Sequence, residues 1–456
     1  MNPAQLVSEH AFGKGGLRAR MYQMHNGLRV LLLRDPAAPV FAYQTWFRVG
    51  SRHERVGKTG MAHLFEHLMF NETENHPQGE FDKLFERAGG NTNAATWVDW
   101  TYYQDDLPAS ELELAVKLES ERMQHLVVKE RPVETERGVV ISERRLRVED
   151  DVDGFMSEEL FRLAFTEHPY HWPTIGWMRD IENISVQDAV EFYRTYYAPN
   201  NATVVVVGDI DEQNTLALIE KYYGHIAAQQ IPPHAPIVEP VQTGERRATY
   251  KKPVMTDKLL LGYKAPGFSD PDHLRLDFLS DLLMGSMSSP IHRDLVIERE
   301  LMSGISGSVT PFRDPGLYEI GGSLQRGHSA AEALEILDAH LERVRRHGPD
   351  AVAVERTRSR LLTSFYGNLR TANGKASSLG EYETTAGDYR VLFDAPDEIH
   401  KITARDLQAV AERYLQTSGR TVIIAEPDES QEDSDEDDSD EDEDDGQDGP
   451  LSGVLH

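Results

Sequence analysis

The sequence predicts an α+β protein made of two homologous halves, and three observations carry that prediction. The first is an ungapped internal repeat. SVQDAVEFYRTYYAPNNATVVVVGD, beginning at Ser185, aligns with TARDLQAVAERYLQTSGRTVIIAEP, beginning at Thr403, at an offset of 218 residues. Asp188 falls on Asp406, Tyr196 on Tyr414, Thr203 on Thr421 and Val204 on Val422. The second is the earlier part of each half, where a strand-like run (FAYQTWFRVG; KLLLGYKAPG) precedes a helix-like run (GMAHLFEHLMF; RLDFLSDLLMG). The third is the break QQIPPHAPIVEPVQTGERR at 229–247, where four prolines and no helical period mark a linker. The chain therefore divides into a first half at 1–230, a linker at 231–247, a second half at 248–427 and a tail at 428–456.

Each element follows from its pattern. FAYQTWFRVG is apolar and β-branched or aromatic enough for a strand. GMAHLFEHLMF has its apolar residues at helical spacing. Gly89-Gly90 turns the chain into a second strand around Asn93, Ala94, Ala95 and Thr96, where the side chains are small. VETERGVVISERRLRVED, from Val133, reads as a helix. The repeated segments each give an amphipathic helix, a turn and an apolar strand. After Arg420 there is no Lys or Arg, and 16 of the residues from Glu426 to Asp448 are acidic. Such a tail cannot bury enough apolar surface to order itself, so disorder is expected there.

Composition narrows the function. At 456 residues, with 39% apolar and 27% charged residues, the chain is long enough for sizeable cores. It has no cysteine, which excludes a disulfide scaffold, a Cys-ligated metal and thiol catalysis. The net charge is -30, but without the tail acids the body has 61 acids against 47 bases, a net of -14. Neither part offers nucleic acid a basic footprint. No run approaches the ~18 apolar residues of a membrane span. The first twenty residues lack the apolar stretch of a signal peptide, so a cytoplasmic protein is expected, or a periplasmic one if a leader has been removed.

The chemistry concentrates in GMAHLFEHLMF. His63 and His67 are four apart, so they lie on one helix face, one turn apart. Two imidazoles so placed can bind one zinc ion, and Glu66 flanks the same face, where it can take a proton from water. His-x-x-Glu-His is the inverted form of the His-Glu-x-x-His zinc motif. A helix whose histidines merely cap a core face beside Leu64, Phe65 and Leu68 is the bland reading. A catalytic zinc site needs a third protein ligand. Glu136 and Glu143 are seven apart, two turns along one face of their helix. Val139, Val140 and Leu146 fall on the same side, which suggests an inward-pointing face, although an acidic solvated helix has the same pattern. The second half carries Asp277, Ser280 and Asp281 where the first carries His63, Glu66 and His67, so only one half keeps the histidines.

These residues resemble the M16 metallopeptidases. The resemblance runs through NGLRVLLLRDPAAPVFAYQTWFRVGSRHE, GMAHLFEHLMF, AGGNTNAATWVDWTYYQDDLP, ERGVVISE, HPYHWPTIG and YYAPNNATVVVVGDID over residues 26–211, and more faintly through LLMGSMSSPIHRDLVIERELMSG. It implies an inverzincin endopeptidase with one Zn2+ per chain, held by His63, His67 and Glu143, with Glu66 as general base. The family's third ligand lies 76 residues after the second histidine, which is Glu143, and its auxiliary Glu falls on Glu136. The implied fold is a pair of homologous α/β-sandwich domains of the LuxS/MPP-like metallohydrolase type, forming one half of a clam-shell. Extended substrate would add as a strand at Asn93, Ala94 and Ala95. Active members also use an Arg and a Tyr seven residues later from a facing second-half domain. Here Val296 and Ser303 stand at those positions, and Arg299 is three residues off. The expected active form is thus a heterodimer with an M16-like partner carrying that pair, as in bacterial M16B-type peptidases, or else a homodimer working without it. A non-catalytic M16-like subunit and an acidic-tailed interaction protein with structural zinc are the competing classes. Trp97, Trp100, Tyr102 and Tyr103 are expected to pack in the core rather than line a substrate pocket, and His168 and His171 to shape a turn rather than bind metal.

Overall fold

The computed structural model describes residues 4–12, 16–233 and 237–428. The acidic tail read from the sequence lies outside the described residues, apart from Asp428. Twelve strands are described: β1 Gln5–Phe12, β2 Leu17–Gln23, β3 Arg29–Arg34, β4 Val40–Phe47, β5 Asn91–Thr96, β6 Thr101–Pro108, β7 Ala202–Gly208, β8 Arg246–Lys252, β9 Lys258–Lys264, β10 Met302–Val309, β11 Leu317–Leu324 and β12 Arg420–Pro427. The helices of the first half are α1 Met61–Leu68, α2 Glu80–Arg87, α3 Leu112–His125, α4 Glu130–Arg144, α5 Val152–Ala164, α6 Met178–Glu182, α7 Val186–Tyr196 and α8 Glu212–Tyr223. Those of the second are α9 Pro271–Met284, α10 Pro290–His292, α11 Ala330–His347, α12 Ala351–Asn368, α13 Ala372–Glu381, α14 Val391–Lys401 and α15 Ala404–Tyr414.

The strands form two mixed sheets, as an α+β fold requires. The first runs β1-β2-β3-β7-β4-β6-β5 and the second β10-β11-β9-β12-β8. Read from β5, the first sheet's order β5-β6-β4-β7-β3 matches β10-β11-β9-β12-β8 strand for strand. The directions match too: β3 is parallel to β7 as β8 is to β12, and the other shared pairs are antiparallel. The repeat seen in the sequence is physical. Helix α7 shifted by 218 is α15, and both begin with a capping box, Ser185 with Asp188 and Thr403 with Asp406. β7 and β12 are the strands that follow, each interior to its sheet. β7 is buried along its whole length, which explains its unbroken apolar run.

One face of each sheet packs on its own half's helices. Val30, Leu32, Tyr43 and Val204 join α1, α3, α4 and α7 in one core, and Leu259, Leu261, Val422 and Ile424 join α9, α11 and α15 in another. The opposite faces are covered by exchange. Helix α13, from the second half, lays Ala376 and Leu379 on Ala42, Trp46, Val205 and Val207 of the first sheet. Helix α5, from the first half, lays Met156, Leu160 and Ala164 on Leu317, Ile423 and Ala425 of the second. A polar knot joins the halves beside α5: Arg52 pairs with Asp99 at 2.8 Å and with Asp314, and His168 Nε2 lies 3.1 Å from Asp314 Oδ2.

Candidate metal centre

Helix α1 has only eight residues and no side-chain cap of its own, because its N-cap is Gly60 in the left-handed region at φ 90°. Glu54, in the preceding loop, supplies the missing acceptor. Its two carboxylate oxygens accept from Gly60 N at 2.8 Å and Ala62 N at 2.7 Å. At the other end of α1, the Tyr103 hydroxyl donates to Phe65 O at 3.1 Å. The helix that carries the motif is thus held at both ends.

On this helix His63 is buried and His67 half-buried, with ring centroids 4.9 Å apart. Helix α4 brings Glu143 to both: its Oε2 lies 3.5 Å from His63 Nε2 and 3.3 Å from His67 Nε2. One ligand atom from each of the three residues falls within 4.8 Å of the others. Glu136, two turns earlier, has Oε2 3.6 Å from His67 Nδ1, and Asn71 Nδ2 donates to its other oxygen at 3.0 Å. Arg147 holds the second oxygen of Glu143 at 3.0 Å. Two imidazole nitrogens, one carboxylate oxygen and an open side suit the donor set of a catalytic zinc, so the residues fit the metal.

The electrostatics separate the two histidines. Burial pushes His63 down to about 4, against the pull of Glu143. His67 is also desolvated, but Glu136 and Glu143 lift it to about 9. Hydrogen bonding to His67 in turn draws Glu143 below its ordinary value. Glu66 is half-buried beside this group, and burial raises its carboxyl, partly offset by Thr96 and His67.

Two expectations change. Val139 and Leu146 do not share an inward face with the carboxylates: they are 45% and 69% exposed. At about 100° per residue, the buried line Val133–Val140–Arg144 sits roughly 60° to one side of Glu136 and Glu143, and Val139 and Leu146 a similar angle to the other. The carboxylates therefore lie at the border of the buried face, where they can reach α1 and still meet solvent. The aromatic cluster also divides. Tyr103 is buried in the first core, and Tyr102 stacks on Trp46 at 4.3 Å, but Trp97 is 42% exposed and meets Phe312 of the second half. His168 accepts from Tyr170 N at 3.2 Å at the head of a short turn, as a shaping residue does.

Asn93, Ala94 and Ala95 lie on β5, the edge of the first sheet, and Thr96 ends that strand against α1. Sequence reasoning missed Glu54, Asn71 and Arg147. Asn71 and Arg147 each sit four residues beyond a candidate ligand, a spacing that could have revealed them. Nothing local flags Glu54. In the second half, Val296 packs against the core, Ser303 donates to Ser323 O at 3.2 Å, and Arg299 is paired with Asp294 at 2.8 Å.

Residues 29–176 match the family model described as insulinase, peptidase family M16, and residues 183–361 match the M16 inactive domain. The first range holds His63, Glu66, His67, Glu136 and Glu143, and the second holds none of them. Zinc protease PqqE of Helicobacter pylori is 32% identical over 411 residues, spanning 89% of this chain and 92% of that one. A crystal structure of a protease from Helicobacter pylori superposes with a TM-score of 0.87 at 31% identity, covering 90% of this chain and 99% of that one. The periplasmic protease PqqL from Escherichia coli shares the fold with a TM-score of 0.75 at 20% identity, matching 98% of this chain to 52% of its own. Among the described residues no helix is long and apolar enough to cross a membrane.

Proposed function

The chain belongs to the M16 peptidase family, and from that membership we propose that it is a zinc-dependent endopeptidase acting on peptides and unfolded segments. The observation that carries this reading is the convergence of His63, His67 and Glu143 with Glu66 beside them. Zinc bound there supplies a Lewis acid that polarises the scissile carbonyl and eases the ionisation of water. His63 Nε2, His67 Nε2 and Glu143 Oε2 are the atoms that would hold it. Glu136 fixes the His67 ring through Nδ1, which keeps Nε2 turned to the metal. Glu66 takes a proton from water and passes it to the leaving amine nitrogen as the C–N bond breaks. Burial raises the Glu66 carboxyl toward the working pH, which suits both transfers. The small side chains of Asn93, Ala94 and Ala95 on an edge strand leave room for an extended peptide to add as a further strand.

We read the active form as a pairing with an M16-like subunit. Val296, Ser303 and the ion-paired Arg299 offer neither a free cation nor a phenol for the developing oxyanion. A fold neighbour whose chain is about twice as long supports a paired arrangement. The non-catalytic reading draws on the inactive-domain match, but that match begins after Glu143 and includes none of the motif residues. Measuring zinc content together with cleavage of a quenched peptide tests the proposal. Glu66→Gln should keep zinc and lose about 10²–10⁴-fold in turnover. Zinc retained with near-normal cleavage would overturn the role of Glu66.

A further inference from the structure

The second half's counterpart of the metal centre opens on a cavity of its own. Helix α9 packs on β10, α12 and α15 as α1 packs on β5, α4 and α7. Asp277 and Asp281 stand on α9 where His63 and His67 stand on α1. Asp281 is occupied, because Arg360 on α12 reaches its Oδ2 through Nε at 2.9 Å and its backbone oxygen through Nη2 at 2.8 Å. Asp277 is not. Among the described residues no hydrogen bond or ion pair reaches its carboxylate, and burial together with Asp281 pushes it up to about 6. A carboxylate that lines a cavity without a donor from the protein is open to a ligand's donor, and perturbed titratable groups in clefts are candidate binding sites.

The half-buried Asp277 lies on the wall of a cavity of 290 Å³. Phe268, Leu274, Tyr382 and Ile402 give that cavity apolar walls, and Asp394 adds negative charge. The basic residues around it are engaged: Lys401 pairs with Glu398 at 2.7 Å and Arg275 with Asp272 at 2.7 Å. An anion is repelled there, and a neutral apolar molecule leaves Asp277 without a donor. The volume sits at the small end of ligand cavities, roughly 300–1,000 Å³, too small for a folded peptide segment. We propose that this cavity binds small amphiphilic amines, with the ammonium on Asp277 and the apolar body against Phe268, Leu274 and Tyr382. The site is independent of the peptidase reading.

Calorimetric titration of the full chain with hexylamine and with hexanol tests it. Hexylamine should bind saturably and about tenfold or more tighter than hexanol, since a charge-assisted hydrogen bond separates them. Asp277→Asn should weaken hexylamine by about tenfold or more while leaving hexanol unchanged. Ala395→Trp, which fills the cavity from its wall, should abolish binding of both. Equal affinity for hexylamine and hexanol, or hexylamine binding undiminished by Asp277→Asn, would overturn the proposal. The wild-type comparison decides even if a variant fails to fold.

Discussion

Arg360 on α12 holds Asp281 on α9 at 2.6 Å, in the place where Glu143 on α4 meets His67 on α1 at 3.3 Å. The two helix pairs correspond, but the charges are exchanged. In the first half a carboxylate faces two imidazoles, and a cation can complete the group. In the second the cation is built into the chain as a guanidinium. An ion pair this accessible contributes about 1 kcal/mol at most, so it closes the position more than it stabilises the fold.

The carboxylate of α4 should decide metal content. Glu143→Gln should leave the dialysed protein nearly free of zinc by plasma-emission analysis. Glu134→Gln, exposed and about 180° round the same helix, should retain it. Equal zinc in both variants would refute the ligand set.

Glu136 should act through His67. Glu136→Gln should weaken zinc binding by about 10–100-fold in a chelator competition while leaving the melting temperature nearly unchanged. Asn71→Ala, which frees one Glu136 oxygen, should show the same effect more weakly. A Glu136→Gln protein that holds zinc as tightly as wild type would remove Glu136 from the site.

The joint between the halves should weaken in acid. A hydrogen bond from His168, opposed by burial and aided by the Arg52 guanidinium, holds the Asp314 carboxyl down at about 2 from its ordinary 3.8. A depressed acid stabilises the fold fully above its unfolded value and loses that contribution as pH falls through the folded one. Asp314→Asn should therefore cost on the order of 1 kcal/mol at pH 6, allowing for solvent screening, and progressively less between about pH 4 and 2. Urea unfolding of both proteins at several pH values checks this; a constant difference across the range would contradict it.

Activity should depend on a partner. The purified chain should cleave peptides poorly, and adding an M16-like subunit that carries the Arg–Tyr pair should raise kcat/KM by on the order of 10²-fold, the usual worth of an oxyanion donor. Full activity from the lone chain, unchanged by that subunit, would favour the homodimer.

Much of this was legible because local chemistry fixed it. The gapless repeat located α7 and α15, since an amphipathic period depends only on near neighbours; the capping boxes at Ser185 and Thr403 were equally local but went unread. His63 and His67 share a face by helix geometry alone, and Glu143 came from resemblance. What was hidden depends on tertiary packing. No local pattern tells that α5 and α13 each cover the other half's sheet. The exposure of Val139 and Leu146 was equally hidden, because a helix seen in isolation has no border between its buried and open sides. Glu54 caps a helix that begins seven residues after it, beyond any local capping signature.

The reciprocal placement of α5 and α13 has the form of a swapped pair. Helix α5 follows α4 as α13 follows α12, and they lie on corresponding strands: α5 on β12 and β9, α13 on β7 and β4. A forebear one half as long could have covered both sheets this way only as two copies trading that helix, each completing the other. Such a swapped dimer would have carried two equivalent sites. By the same logic, severing the chain between Gln230 and Arg246 would not yield two independent proteins. It would yield two incomplete ones, with Trp46 and Val207 bare on one and Leu317 and Ile423 bare on the other, each able to fold well only in the other's company.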